Sequence, residues 1–259
     1  MRLLVTNDDG IGSELLQELV AALLGAGHAA FVVAPRQEQS WIGAAKSRSR
    51  PVHSAAADRG LGCPTWIVDG TPSDCVNIAL AHLLTEPVDA VVSGINVGLN
   101  ASLGFILASG TLAGAWEGAL HGLPGIAFSQ EVTEATYERL KQPGARVDPA
   151  LRATLAVSSR HAARLTAELV AATAPRGFVV HNINFPFPCA PGAEVRRTVP
   201  ARQLVPGLFT PQDGAGTHRL IFKSGEDISP AELPTDRAAL AAGCISHTVL
   251  DYSRLGHDR

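Results

Sequence analysis

Short apolar runs alternate along the first two thirds of the chain with stretches whose apolar residues recur at helical spacing. The apolar runs predict buried strands at residues 2–6, 29–34, 65–68, 88–93, 125–129 and 178–184. The helical spacing predicts helices at residues 13–24, 73–84, 110–120 and 148–172. Strands that alternate with helices indicate right-handed βαβ units. The predicted fold is therefore α/β, with a mainly parallel sheet and helices on both of its faces.

The pattern changes after the last of these strands. Residues 187–234 are rich in proline, glycine and isolated charges, with a possible pair of strands at 193–205 and 218–223. A helical stretch near 235–242 and an apolar run at 244–250 predict that the chain then returns to the main body. We therefore divide the chain into a catalytic core at 1–186, a smaller β-hairpin or extended appendage at 187–234 that serves oligomer contacts, and a C-terminal segment at 235–259.

Composition narrows the classes of function. Hydrophobic residues make up 46% of the chain, and a formal net charge of -3 gives no broad basic surface, so we expect no binding to duplex nucleic acid. The apolar runs are too short for a membrane span, and no secretory leader pattern follows Met1, so we expect no membrane association. The four cysteines form no Cys-x-x-Cys pair, and such scattered thiols indicate a reduced, cytoplasmic protein.

Polar residues gather after three of the predicted strands. They form Asn7–Gly10, the stretch 36–40, and the stretch 93–100, which runs on to Ser109-Gly110-Thr111. In an open parallel sheet, ligands bind beyond the carboxyl ends of the strands, so we expect these three loops to converge at one edge.

The adjacent carboxylates Asp8 and Asp9 are the strongest chemical signal in these loops. Two such charges repel each other unless a cation or a proton separates them. Beside a hydroxyl and an amide they would offer an all-oxygen shell, which suits Mg²⁺, Mn²⁺ or Ca²⁺ and not zinc. Ser109-Gly110-Thr111 precedes a predicted helix, where it could hold a phosphate or simply cap the helix. Taken alone, Asp-Asp-Gly is an ordinary turn, so the interpretation depends on the neighbouring loops.

Seven motifs occur in a defined order along nearly the whole chain, and the correspondence is weak only over 187–230. They are Thr6–Gly10, Val33–Pro35, Gly70–Val76, Val92–Asn100, Ser109–Thr111 with Glu117-Gly118, Asn182–Asn184 and Thr235-Asp236. Together they resemble the SurE family, the survival-protein nucleotidases of bacteria and archaea.

The resemblance implies a Rossmann-like three-layer α/β/α core whose C-terminal region takes part in subunit exchange, within a homodimer or tetramer. It implies hydrolysis of phosphomonoesters, typically 5′- and 3′-nucleotides, with one divalent cation per subunit. That cation would be Mg²⁺ or Mn²⁺, with Ca²⁺ possible in crystals. By this resemblance the metal ligands are Asp8, Asp9, Ser40 and Asn96.

The expected reaction needs two sets of side chains around the phosphate ester. Asp8 or Asp9 would act as the catalytic carboxylate that orients or deprotonates the attacking water. The phosphate oxygens would be held by Asn100 and by the helix start at Ser109, Gly110 and Thr111 as charge develops. Neither Cys nor His occurs in these loops, which argues against a phosphoenzyme formed on either residue.

Three positions depart from the pattern of the family that the chain resembles. Gly12 stands where a histidine and glycine pair usually follows the Asp-Asp-Gly turn, Trp41 replaces the glycine after the metal serine, and Ala108 replaces a tyrosine. Trp41 is a candidate substrate-binding surface, or it packs in a loop or subunit interface. Two alternatives to a nucleotidase therefore stay open: a phosphatase of a specialised phosphorylated metabolite, and a non-catalytic nucleotide-binding or scaffold protein.

Overall fold

A parallel sheet forms the centre of the molecule in a computed structural model that describes residues 1–140, 142, 144–221, 223 and 225–256. The strands are β1 (Arg2–Thr6), β2 (Ala29–Pro35), β3 (Ser54–Ala56), β4 (Thr65–Val68), β5 (Ala90–Val97), β6 (Gly125–Gln130), β7 (Val179–Phe185), β8 (Val195–Thr198), β9 (Gln203–Leu204), β10 (Glu226–Asp227) and β11 (Ile245–Asp251). Nine of the described strands make one sheet in the order β3-β4-β2-β1-β5-β6-β7-β11-β8.

The helices lie in the connections between the strands. They are α1 (Glu14–Gly25), α2 (Pro72–Ile78), α3 (Leu103–Ala108), α4 (Gly110–Leu120), α5 (Glu134–Leu140), α6 (Pro149–Ala172) and α7 (Asp236–Ala241), with a π-helical turn at Ala79–Leu83 and a 3₁₀ turn at Tyr252–Arg254. Strands β4, β2, β1, β5, β6 and β7 run parallel, whereas β11 pairs antiparallel with β7.

The core is divided by the sheet into two layers. On β1, Leu3 and Val5 are fully buried among the apolar residues of α1 and α6, whereas Leu4 is buried on the opposite face with α2. This alternation follows from the two-residue period of a strand, and each such leucine or valine contributes about 1.5–3 kcal/mol by leaving water. The α/β fold with helices on both faces, predicted from the sequence, is confirmed.

Most predicted elements lie where the periodicity placed them. The strands at 2–6 and 65–68 and the helix at 110–120 have the predicted bounds. In contrast, β5 begins two residues later than predicted. It also extends to Val97, because the strand continues beyond an irregularity after Ser93. The short elements β3, α3 and α5 were not predicted, since three to seven residues carry too little periodic signal.

The segment after β7 differs in detail from its predicted strand pair. Strand β8 joins the edge of the main sheet beside β11, and β9 pairs with β10 in a separate two-stranded sheet. Residues 209 and 220 form only an isolated antiparallel bridge, and Phe222, within the predicted 218–223 strand, lies outside the described residues. The proposed divisions at 186 and 234 stay predictions, and the last segment extends past the described residues at 257–259.

None of the helices in the described part of the chain combines the length and the apolar character that crossing a membrane would require.

Two helical glycines provide a test of how tightly α4 packs on the sheet. A Cβ added at Gly118 would lie 2.6 Å from both Cβ and Cγ2 of Val91 on β5. Gly118→Ala is expected to lower the free energy of unfolding by about 1–2 kcal/mol, because overpacking outweighs the gain in helix propensity. Urea denaturation followed by circular dichroism measures this difference.

Gly104 on α3 is the matched control. A Cβ at this position would meet no atom of the described residues within 4 Å. Gly104→Ala is therefore expected to leave stability unchanged or to raise it by up to about 1 kcal/mol. Equal effects of the two substitutions would contradict the packing argument.

Candidate metal centre and substrate cleft

The turn that carries Asp8 and Asp9 follows β1 at the point where the strand order reverses. Strand β1 lies between β2 and β5, so the chain builds the sheet first to one side of β1 and then to the other. The loops after β1 and β5 separate there and leave a crevice. The side-chain amide of Asn7 donates to the carbonyl of Gly10 at 2.9 Å, and Gly10 closes the turn with a φ of 87°.

Two hydrogen bonds bring the other predicted metal ligands to this turn. The backbone N–H of Gln39, which precedes Ser40, donates to the carbonyl of Asp8 at 2.7 Å. The backbone N–H of Val97, which follows Asn96, donates to Oδ2 of Asp9 at 3.0 Å. The segments that carry the four predicted ligands therefore meet at one place.

Asn96 reaches the turn because β5 is irregular just before it. Pairing with β6 changes from Ser93 opposite Ala127 to Asn96 opposite Ser129, so β5 accommodates one additional residue. Gly94 within the irregularity has a φ of 127°, and a Cβ there would lie 2.3 Å from a backbone oxygen. The amide nitrogen of Asn96 donates to the carbonyl of Gly98 at 2.9 Å. Among the described residues its Oδ1 accepts no hydrogen bond, so this oxygen is available as a ligand.

The loop after Ser40 is fixed by the start of α2. Thr71 and Asp74 form a reciprocal capping box at this helix start. The Thr71 hydroxyl also donates to the carbonyl of Ala45 at 2.8 Å, and the Asp74 carboxylate accepts from the backbone N–H of Ser47 at 3.2 and 3.3 Å. The Gly70–Val76 motif thus positions the Ser40 loop. Within the described residues the Ser40 hydroxyl makes no hydrogen bond.

The start of α4 packs directly against Asp8. Ser109 caps the helix by accepting a hydrogen bond from Leu112 N at 3.0 Å. A Cβ at Gly110 would lie 2.9 Å from the Asp8 Cβ, so a larger residue would displace the carboxylate. The Thr111 hydroxyl donates to Oδ1 of Asp8 at 2.6 Å. This contact gives the Ser109–Thr111 motif a definite role in holding Asp8.

A buried network behind Thr111 holds Asn100. The Asn100 amide donates to the hydroxyls of Thr111 at 3.2 Å and Ser129 at 2.9 Å. Its backbone N–H donates to Oδ1 of Asn184 at 2.8 Å, and its carbonyl accepts from the Asn182 amide at 2.8 Å. All five side chains are buried. The Asn182–Asn184 motif on β7 therefore positions Asn100, a role that the sequence alone did not reveal.

Ionisation of both Asp8 and Asp9 is unfavourable in this buried position. Burial raises the pKa of Asp8 from 3.8 to about 6, despite the hydrogen bond from Thr111. Burial, together with the negative charge of Asp8, also raises the pKa of Asp9 well above its ordinary value. Within the described residues, no Lys or Arg forms an ion pair with either carboxylate. The described residues therefore do not balance the negative charge that the two carboxylates carry when ionised.

The donor set fits a hard divalent cation. Two carboxylates are accompanied by the hydroxyl of Ser40 and the amide oxygen of Asn96, which are ligands of the kind that Mg²⁺ and Mn²⁺ accept. No group of three or more His, Cys, Asp or Glu side chains suited to a metal occurs in the described part of the chain. The assignment of the four ligands stays a prediction.

An open cleft of about 570 Å³ lies beside this centre. Asp9 and Ser40 line it, whereas Asp8, Asn100 and Thr111 are buried and do not. The cleft therefore gives substrate access to one side of the pair, and the other side is held by the protein interior.

Trp41 lies outside the lining of this cleft. Its ring packs edge-on against Phe105 of α3, with ring centroids 5.4 Å apart, and 37% of the residue is exposed. The backbone at Trp41 has a φ of 61°, a left-handed conformation that is uncommon for a residue other than glycine. The geometry favours the packing interpretation of Trp41.

Sequence reasoning missed the aromatic residue that does line the cleft. Tyr137 lies on α5, a helix of seven residues with no buried member and no recognised motif. Gly12, one of the departures from the family pattern, also lines the cleft, whereas the carbonyl of Ala108 accepts from Gly43 N at 2.9 Å. Only the spatial proximity of α5 to the β5 loop could have revealed Tyr137.

Comparison with known proteins gives a consistent assignment. The family model described as Survival protein SurE matches residues 3–205. The chain is 33% identical over 260 residues to the 5'-nucleotidase SurE of Brucella canis, a match that covers 99% of this chain and 94% of that protein.

Shorter and more similar matches also occur. The chain is 44% identical over 130 residues to the 5'-nucleotidase SurE of Desulforudis audaxviator, where the match spans 50% of either protein. The chain therefore spans about half the length of such relatives. The crystal structure of the SurE protein from Aquifex aeolicus superposes with a TM-score of 0.73 at 27% identity, covering 97% of this chain and 93% of that one.

The raised pKa of Asp8 predicts a pH-dependent effect of neutralising it. The folded protein holds the Asp8 proton up to about pH 6, whereas the unfolded chain loses it near 3.8, so this group lowers stability as pH rises through that window. In metal-free protein, Asp8→Asn should raise the free energy of unfolding at about pH 8 by up to about 3 kcal/mol. The gain should disappear near pH 4, where Asp8 itself is protonated. Urea denaturation with a chelator present measures both values.

The exposed Asp58→Asn is the control for this measurement, because its carboxylate is already in water. It should change stability by less than about 0.5 kcal/mol at either pH. A gain for Asp8→Asn that is the same at both pH values would contradict the electrostatic explanation.

Proposed function

Because the chain belongs to the SurE family, we propose that it is a divalent-metal-dependent phosphomonoester hydrolase. By this assignment its substrates are nucleoside 5′- and 3′-monophosphates. The names of the relatives support a nucleotidase or phosphatase activity. The metal dependence rests on one observation, the buried and uncompensated Asp8 and Asp9 pair at the crevice of the sheet.

The cation would be held by Asp8, Asp9, Ser40 and Asn96. A divalent ion at this position supplies positive charge that stabilises a phosphate ester as negative charge develops on it. The oxygen of Asn96 and the hydroxyl of Ser40 are without hydrogen-bond partners in the described structure, which supports their assignment as ligands.

Asp9 is the carboxylate that we assign to the attacking water. It lines the cleft, and the backbone N–H of Val97 holds its Oδ2, so its position relative to an incoming ester is fixed. Asp8 is instead anchored by Thr111 and buried.

The start of α4 is assigned to the phosphate. Ser109, Gly110 and Thr111 form the first turn of this helix, where backbone N–H groups carry partial positive charge and favour an anion. Asn100 supports this turn through its hydrogen bond to Thr111. The side-chain donors of Asn100 and Thr111 are engaged within the protein, so the helix would act on the phosphate through the partial positive charge of its first turn.

The two alternative functions differ in what they require of the cleft. A specialised phosphorylated metabolite would keep the metal centre and change only the groups that line the cleft, and Gly12 is the departure that touches it. A non-catalytic scaffold would not require a buried carboxylate pair, whose retention costs stability.

The decisive experiment measures phosphate release from a panel of nucleotides, sugar phosphates and p-nitrophenyl phosphate. Hydrolysis is expected with Mg²⁺ or Mn²⁺ and not with a chelator. Asp9→Asn should lower kcat/KM by at least about 100-fold, as is usual when a group that acts in the transition state is removed. Asp58→Asn should retain full activity.

The outcome also distinguishes the alternative functions. If no substrate on the panel is hydrolysed with either metal, the scaffold is favoured, and if one metabolite alone is hydrolysed, the specialised phosphatase is favoured.

We also propose that the chain self-associates through the segment between β8 and α7. Several large apolar side chains of this segment are exposed. They are Leu204, Phe209, Leu220 and Ile228. Light scattering is expected to give the mass of a dimer or tetramer, and Phe209→Ser should shift that mass towards the monomer. A monomeric wild-type protein would contradict this proposal.

A further inference from the structure

The cleft extends beyond the metal centre between two walls of different origin. One wall is the start of α1 at residues 12–15, and the other comes from α5 and the segment 144–147. Val97 lies between them, next to Asp9. A volume of about 570 Å³ is in the range that binds small organic molecules, so the cleft exceeds what a phosphate group alone would fill.

Tyr137 is the one aromatic side chain among the described residues that line this cleft. Its ring lies over the loop after Asn96: a Cβ built on Gly98 would be 3.7 Å from Cε2 and 3.9 Å from Cδ2 of the ring. A Cβ at position 98 would make an ordinary van der Waals contact with the tyrosine, so the ring lies directly beside the loop that follows the predicted ligand Asn96.

The helix that carries Tyr137 is capped at its start and attached to α6 near its end. Thr133 accepts a hydrogen bond from the backbone N–H of Thr136 at 3.2 Å, and Arg139 donates to Oδ2 of Asp148 at 2.7 Å, which ties α5 to the start of α6. The position of the Tyr137 ring therefore follows from the position of α5. A fixed aromatic ring loses little conformational entropy when a ligand stacks on it.

The surroundings of Tyr137 select the kind of group that fits. Leu140 and Val147 extend the apolar part of the wall. Arg146 also lines the cleft, but it lies 3.7 Å from the Glu14 carboxylate, so its charge is partly neutralised. An aromatic ring with aliphatic neighbours favours a flat group, which can stack on the ring, more than a bare sugar.

We propose that Tyr137 is a specificity-determining residue that stacks on the base of a nucleoside monophosphate while its phosphate lies at the metal centre. The inference rests on the proposed phosphatase function and adds the part of the substrate that is recognised. It moves the aromatic contact from Trp41, which faces Phe105, to α5 on the other side of the metal centre.

The test compares two substrates that differ by the base alone, adenosine 5′-monophosphate and ribose 5-phosphate. Tyr137→Ala should lower kcat/KM for the nucleotide by about 5- to 100-fold, mainly through KM, because base stacking on an aromatic residue is lost. The same variant should turn over ribose 5-phosphate at the wild-type rate, which also shows that the metal centre is intact. Tyr137→Phe keeps the ring and should keep the nucleotide preference.

Trp41→Ala is the matched control, since it removes an aromatic ring outside the cleft, and it should leave the ratio of the two substrates unchanged. An equal loss on both substrates in Tyr137→Ala, or no loss on the nucleotide, would overturn the subsite. Should the wild-type protein hydrolyse neither substrate, the proposed function fails. Calorimetric binding of the nucleotide then decides the subsite separately, with weaker binding to Tyr137→Ala supporting it and equal binding refuting it.

Discussion

The constraint on which the site depends is the burial of two adjacent carboxylates, Asp8 and Asp9, at the end of the central strand. Like charges that are withdrawn from water raise each other's pKa, and hydrogen-bond donors or a cation must stabilise their ionised forms. The Thr111 hydroxyl and the Val97 N–H meet part of this requirement. Within the described residues no basic side chain meets the rest. A cation or a proton from solution must therefore balance the remaining negative charge.

This constraint accounts for several features that otherwise look unrelated. Gly110 is required because α4 begins in contact with Asp8, and Gly94 is required because β5 bends past a neighbouring backbone before Asn96. The loop after Ser40 is tied to the capping box of α2. In each case the core positions an oxygen donor through backbone geometry or a buried hydrogen bond. A site built in this way is preorganised, so little reorganisation is needed when a ligand binds.

How much could be predicted from the sequence depended on the range of the interaction. Strands β1 and β4 and the helix α4 have the predicted bounds, because burial within these elements places apolar residues at a regular spacing in the sequence. The convergence of the loops followed from the parallel sheet alone. The bulge before Asn96 and the support of Asn100 by Asn184 depend on contacts between residues far apart in the chain. The pattern of residues within a short stretch of sequence does not indicate such contacts.

The residues that carry out the reaction differ in the same way from the residues that determine which substrate binds. Asp8 and its supports are buried, so their identities are fixed by packing and by the demands of the charged pair, and they leave strong motifs in the sequence. The cleft is lined instead by loop residues and by the short exposed helix α5, where many residues are compatible with the fold. Trp41 is a candidate because it replaces the glycine that usually follows the metal serine in the family, yet its ring contacts Phe105 and not the cleft. Selectivity in such a protein can therefore change at α5 without altering the reaction at β1.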